Sequence, residues 1–198
     1  MQYQKDELKN AIMEEAEKEF SQNGFKAASL RQIAKSAGTT IGNLYHYFES
    51  KEALFDALVR GEYEGFQNLI GKHSNLVTPE EALQKASVKE WREILKALIG
   101  YLAPTFTKRF YILLNCSEGT RYEGTKEYFI QFAKDHFLEH MDEMNSDCPR
   151  ELGQVIAEQL LNGILSIIRD YEDEERKRAL LTELFLFYII GVMGLLAD

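Results

Sequence analysis

Two stretches of the sequence hold side chains whose types and spacing could do chemistry. The first reads LRQIAKSAGTTIGNLYHYFESK, from Leu30 to Lys51. Asn43 carries a donor and an acceptor on one planar amide, the pair that reads an adenine edge. Ile41 can pack on a thymine methyl, and Gly42 lets the backbone approach base edges closely. Ser29, Thr39 and Thr40 bring hydroxyls. Tyr45, His46, Arg31 and Lys51 are able to hydrogen-bond phosphates. The chemistry on offer is hydrogen bonding and apolar contact rather than catalysis. For Arg31, and for Lys35 beside it, a solvated helix face is an equally good explanation.

The second stretch is His136-Phe137-Leu138-Glu139-His140, the H-x-x-E-H spacing of a zinc hydrolase. At about 100° per residue both histidines share a helix face with Phe129, Ala133 and Met144, and Glu143 lies close in angle. A hydrolase also needs a third ligand and strands to hold a substrate, and no alternating strand pattern occurs. The plainer readings are a pair lining a cavity or a pair packed with its hydrogen bonds satisfied. No glycine-rich phosphate loop or Gly-x-Ser-x-Gly elbow is present, and Cys116 follows an apolar run as a small core residue. No catalytic residue, metal or cofactor is expected.

The elements that must position these residues are helices. Leu8, Ile12, Ala16 and Phe20 recur at one helical face between about Lys5 and Gln22, and Asn23-Gly24 stops that helix. Ser29 and Gln32 form a capping box for a short second helix ending at Gly38. Thr40 caps a third, Ile41 to Phe48, and Ser50 a fourth, Lys51 to about Gly71. Ile33, Ala34, Ala37, Leu44 and Phe48 supply a small core, with Ala34 and Gly38 small where helices approach. This is the outline of a helix-turn-helix, and by spacing alone equally that of a helical hairpin within a larger bundle. His73 to Pro79 reads as a linker. Helices follow near 79–86, 88–103, 104–116, 123–146, 149–170 and 173–196, with Pro104 and Pro149 in first turns. The fold class is all-α.

Charge is divided to match. The whole chain carries −9, yet residues 24–60 set Lys26, Arg31, Lys35, Lys51 and Arg60 against Glu49, Glu52 and Asp56. A small basic island on an acidic body suits a compact DNA reader. Two cysteines are too few for a disulfide framework. No charged-then-apolar leader opens the sequence, and the longest apolar run, Leu184 to Ala197, falls short of the ~20 residues of a spanning helix. The expectation is a cytoplasmic protein without a membrane partner.

The Leu30–Lys51 segment resembles the DNA-binding domain of TetR-family transcriptional regulators. The matching residues are Ile33-Ala34, Ala37-Gly38, Gly42, Leu44-Tyr45, Tyr47-Phe48 and Ser50-Lys51-Glu52. Thr39 departs from that pattern, standing where a small apolar residue is usual. The resemblance implies a DNA-binding domain over 1–50 and an effector-binding and dimerisation domain over 51–198, with helix 51–71 as connector. It implies a homodimer on a near-palindromic operator and a small-molecule effector, here a largely apolar one. Aromatics at these spacings belong more often to a core than to a pocket, but the resemblance implies an effector cavity that some of Tyr101, Phe106, Phe110, Phe129 and Phe132 face, with His136 and His140.

The last two helices give an independent reason for a dimer. Leu152, Val155, Ile156, Gln159, Leu160 and Gly163 form one stripe, and the final helix is apolar nearly all round. Such a helix must be covered on several sides, and a twofold four-helix interface does so economically. Leu152, Ile156, Leu160, Gly163, Leu184, Tyr188, Gly191 and Leu195 are the expected interface. The function expected is that of a ligand-responsive repressor, not an enzyme. A metal protein or hydrolase built on His136, Glu139 and His140, and an effector-less DNA-binding scaffold of the same fold, are the alternatives.

Overall fold

The computed structural model describes residues 2–73, 86–143 and 146–196. All elements among them are helical: α1 (Gln2–Ala27), α2 (Leu30–Ser36), α3 (Ile41–Tyr47), α4 (Lys51–His73), α5 (Val88–Leu102), a 3-10 turn (Ala103–Thr105), α6 (Lys108–Asn115), α7 (Thr125–Glu143), α8 (Leu152–Asp170) and α9 (Glu174–Leu196). They divide into two compact units, one of residues 1–67 with 108–126, the other of 68–107 with 127–198. The separation of 1–50 from 51–198 is thus one of role. As a packed body, the unit that contains the helix-turn-helix takes in most of α4 and all of α6.

In the first unit α1 lays Ile12, Ala16 and Phe20 inward, each fully buried. Helical geometry continues past Gln22 and breaks at Gly24, whose φ of 68° and ψ of 169° kink the chain before one last turn to Ala27. Only glycine takes that conformation without strain. The kink turns the Phe25 N–H onto the Cys116 carbonyl at the end of α6, 2.9 Å away. Phe20, Phe25 and Phe55 then meet edge-on or stacked, with centroids 5.0–6.1 Å apart, worth about 0.5–1.5 kcal/mol per pair beyond their burial. Burial pushes the Cys116 thiol up to about 11, so it is an inert core residue.

Tyr122 joins this core from the segment after α6. Its hydroxyl donates to Asp56 of α4 at 2.7 Å, and Arg60 and Arg121 both pair with the same carboxylate. Burial alone raises the Asp56 carboxyl. The Tyr122 and Arg60 hydrogen bonds and the two guanidinium charges outweigh it and leave it below its ordinary value. A depressed carboxyl contributes stability that is complete above the unfolded value of about 4 and lost as pH falls through the folded one. Asp56→Asn should therefore lower thermal stability at pH 7 and narrow the gap from wild type below pH 4. Melting curves across that range check it.

The second unit is a bundle of α5, α7, α8 and α9. A capping box starts α5, with Ser87 Oγ accepting from Glu90 N and Glu90 Oε2 accepting from Ser87 N. Trp91 and Leu95 of α5 pack on Leu186 of α9, with Phe185, Ile189 and Met193 around them. Helix α8 buries Ala157, Leu161, Ile164, Leu165 and Ile168. It meets α9 where Gly163 faces Leu184: a Cβ at Gly163 would lie 3.0 Å from both Leu184 methyls.

Several sequence-based boundaries move. Residues 74–85, which hold most of the expected linker and the helix at 79–86, lie outside the described residues, as does Met144. The expected helix 104–116 is broken, because Pro104 sits in the 3-10 turn and α6 starts only at Lys108. The helix expected from Pro149 starts at Leu152, whose N–H is taken by the Pro149 carbonyl.

Candidate nucleic-acid interface

The turn between α2 and α3 is built by local chemistry. Gly38 adopts φ +68°, and a Cβ there would meet nothing within 4 Å. The residue is glycine for its backbone, not to let two helices approach as the sequence implied. Its conformation folds the chain back so that Thr39 N donates to the Ala34 carbonyl at 2.9 Å. Thr40 Oγ1 then accepts from Asn43 N at 3.2 Å and caps α3. On the inner side Ile33, Ala34, Leu44 and Phe48 are buried, so α3 is clamped against α2 by the same few residues that its sequence spacing predicted.

That clamping fixes what faces outward. Thr40, Gly42, Tyr45 and His46 are exposed, and Ile41, Asn43 and Thr39 are half-buried at the start of α3. A Cβ on Gly42 would touch only the Thr40 hydroxyl, at 4.0 Å, so a flat polar edge of backbone and Asn43 amide is presented. Asn43 Nδ2 donates to Thr39 Oγ1 at 2.9 Å. Ser29 and Arg31 are exposed at the start of α2. The dimensions suit the leading end of a helix entering a major groove, with flanking hydroxyls for phosphates.

Two expected roles change. The Ser29–Gln32 box is half formed: Gln32 N donates to Ser29 Oγ at 3.3 Å, but Ser29 N donates to Glu19 Oε1 of α1 at 2.9 Å, while the Gln32 amide turns to Ser36. A carboxylate from a neighbouring helix outcompetes the local glutamine. Lys51, expected on a phosphate, donates to the carbonyls of Lys26 and Ala28, both at 3.1 Å, and its ammonium lies 4.8 Å over the Phe25 ring. Two of its three donors satisfy the carbonyls that end α1. Glu19 and Lys51 are thus positioning residues that local motif reading does not reveal.

The residues expected around an effector are divided between the two units. Phe110 belongs to the first unit, fully buried at 6.0 Å from the Phe66 ring, and the other six belong to the second. There Phe106 and Phe129 are buried and Phe132 is half-buried, whereas Tyr101 is 62% exposed and lines no interior. His136 and His140 do meet: their Nε2 atoms are 3.3 Å apart, and His140 Nδ1 lies 3.0 Å from Glu143 Oε2. The pair is half-exposed. Among the described residues no set of three or more His, Cys, Asp or Glu is placed to hold a metal ion, so the hydrolase alternative lacks a ligand set there.

Of the expected dimer residues, Leu152, Ile156, Leu160, Gly163, Leu184 and Tyr188 are half-buried and Gly191 and Leu195 exposed. Gly163 and Leu184 are used on each other, within the chain. Helix α8 therefore has two apolar faces, one in the core and one outside that continues through Val155, 52% exposed. On α9 the sequence, apolar all round, could not choose a face. Phe187, 73% exposed, with Ile190 and Leu195, marks the one left open.

A helix-turn-helix held rigid by a buried core, with a polar helix tip turned outward, has the architecture of a helix-turn-helix DNA-binding domain. Residues 12–58 match the model of the bacterial regulatory proteins of the tetR family. Related sequences are the transcriptional repressor KstR2 of Rhodococcus jostii, 36% identical over 80 residues, and the transcriptional regulator UidR of Escherichia coli, 41% over 64. Those matches cover 40% and 32% of this chain and about a third of each relative (34% and 33%). The fold is similar to that of a TetR-family regulator from Bordetella parapertussis over 91% of this chain and 93% of that one, with TM-score 0.62 and 18% identity. It is similar also to AibR, solved with isovaleryl coenzyme A and operator DNA, over 89% and 97% with TM-score 0.52 and 17% identity.

Proposed function

We propose that the protein is a cytoplasmic, homodimeric repressor that binds a near-palindromic operator and is released from it by a small, largely apolar effector. The observation that carries this reading is the start of α3, where Thr40, Gly42 and the Asn43 amide face outward over a buried Leu44. Two such tips, one per subunit, would read successive major grooves, with Ser29, Arg31, Thr39, Tyr45 and His46 on phosphates and Lys51 offering its remaining N–H. The second unit would supply dimer and effector sites. Its Trp91 indole N–H is buried without a hydrogen-bond partner among the described residues, and an acceptor on an effector would supply one. No enzymatic step is assigned.

Helix α9 is long and apolar enough to cross a membrane by length and composition. We read it as a dimer helix, because one face already packs on Trp91 and Leu95 and the open face continues the exposed stripe of α8.

The test is recovery and sequencing of source DNA fragments bound by the full-length protein at near-physiological salt, beside Asn43→Ala. One near-palindromic motif should be enriched and be altered or lost in the variant. Affinity for it should fall steeply with salt, since each phosphate contact releases counterions. A folded dimer that enriches no motif sinks the proposal.

A further inference from the structure

We infer that Thr39 determines how sharply the protein discriminates bases, by holding the Asn43 amide in one place. The inference rests on α3 being the recognition helix and adds a residue that does not itself read a base. Asn43 is fixed at both its backbone and its side chain. Its N–H is taken by Thr40 Oγ1 at 3.2 Å, and its side-chain Nδ2 donates to Thr39 Oγ1 at 2.9 Å. Thr39 is itself anchored, since its backbone N–H donates to the carbonyl of Ala34, a residue 1% exposed in the small core.

A line of bonds therefore runs from the buried end of α2, through the turn set by Gly38, to the amide at the tip of α3. The second N–H and the Oδ1 of Asn43 remain, side by side and in one place. An adenine offers N6–H and N7 to such a pair, whereas a guanine offers two acceptors. A hydroxyl both donates and accepts, so Thr39 Oγ1 bonds the amide whichever of its two ends faces it. What the bond fixes is the plane and reach of the amide. Without it the side chain swings, meets the base edge in many geometries and discriminates poorly. This gives a purpose to the one hydroxyl that stands where the family motif has an apolar residue: the departure from the motif is where specificity is set.

The prediction concerns preference, not overall affinity. The wild-type protein and the variants Thr39→Val, Thr39→Ser, Thr39→Ala and Asn43→Ala are taken through selection from randomised duplexes. Binding is then titrated on the selected duplex and on duplexes with each base pair exchanged. Wild type should discriminate on the order of tenfold or more at the base pair facing Asn43. In Thr39→Val discrimination there should drop to a few-fold, with the preference at the other positions unchanged. Serine and alanine both lack the methyl and differ only in the hydroxyl. Thr39→Ser should keep the preference and Thr39→Ala lose it, which isolates the hydroxyl even if valine perturbs the turn. Equal discrimination by the serine and alanine variants, or full discrimination by Thr39→Val, overturns the inference. If Asn43→Ala alters no preference at all, the recognition-helix reading has failed. If Asn43→Ala relaxes one base pair and Thr39→Ala does not, only the role of Thr39 has failed.

Discussion

Leu44→Ala should lower the stability of the first unit by about 2–5 kcal/mol, the range for emptying a buried leucine site. Leu44 is fully buried, on the opposite side of α3 from the exposed tip. Its neighbours Ile33 and Phe48 hang from short helices tied to the turn by backbone bonds and have little freedom to collapse into the space. Against a total stability of about 5–15 kcal/mol that is a large fraction, and at about 2–4 °C per kcal/mol for a chain of this size the melting temperature should fall by roughly 4–20 °C. Operator affinity should fall as well, although no group that touches DNA has been altered, because the α3 tip is aimed only by this core. Calorimetry with a binding titration checks both effects. A variant that melts like wild type would mean that the aim of α3 is set elsewhere.

Phe187→Glu addresses the other end of the proposed mechanism. Phe187 is 73% exposed on α9, flanked by Ile190 and by Gly191 and Gly194, around which a Cβ would meet nothing within 4 Å. In a twofold interface this substitution buries two carboxylates in apolar surroundings, a cost no neighbouring residue there offsets. The protein should become monomeric by light scattering at micromolar concentration while keeping its helical content. Operator affinity should drop by a hundredfold or more, since a dimer gains its second half-site at high effective concentration. A dimer that persists in Phe187→Glu places the interface on another face.

How much of this was legible in the sequence depended on the range of the interactions involved. The α3 cap at Thr40, the α4 cap at Ser50 and the burial of Ile33, Leu44 and Phe48 follow from contacts within a few residues, which spacing encodes directly. Lys51 illustrates the limit. Its place in the motif reads as a phosphate contact, yet its ammonium is committed to carbonyls 23 and 25 residues back. Glu19 displaces Gln32 as the partner of Ser29 for the same reason, since a side chain from another helix cannot be seen in a four-residue pattern. Aromatic type likewise does not say which packed unit a ring joins: Phe110 belongs to the first and Tyr101 to the second. Helix α8 was read as having one apolar stripe. It has two, and the burial of Ala157, Leu161, Ile164 and Ile168 shows which side the chain itself uses.

The unit that holds the helix-turn-helix is discontinuous, and this has a consequence for how the chain is born. The bond from Phe25 to Cys116 and the tie from Asp56 to Tyr122 join residues on either side of 68–107, whose described part belongs to the second unit. At synthesis rates of about 5–20 residues per second, the first 67 residues wait roughly 2–8 s for the ribosome to cross that stretch before α6 even begins to appear. During the wait Phe20, Phe25 and Phe55 lack the neighbour that completes their core. The helix-turn-helix therefore gains its full core only after residues 108–126 have been made, so a nascent chain cut short within 68–107 would carry the whole motif without the support of α6.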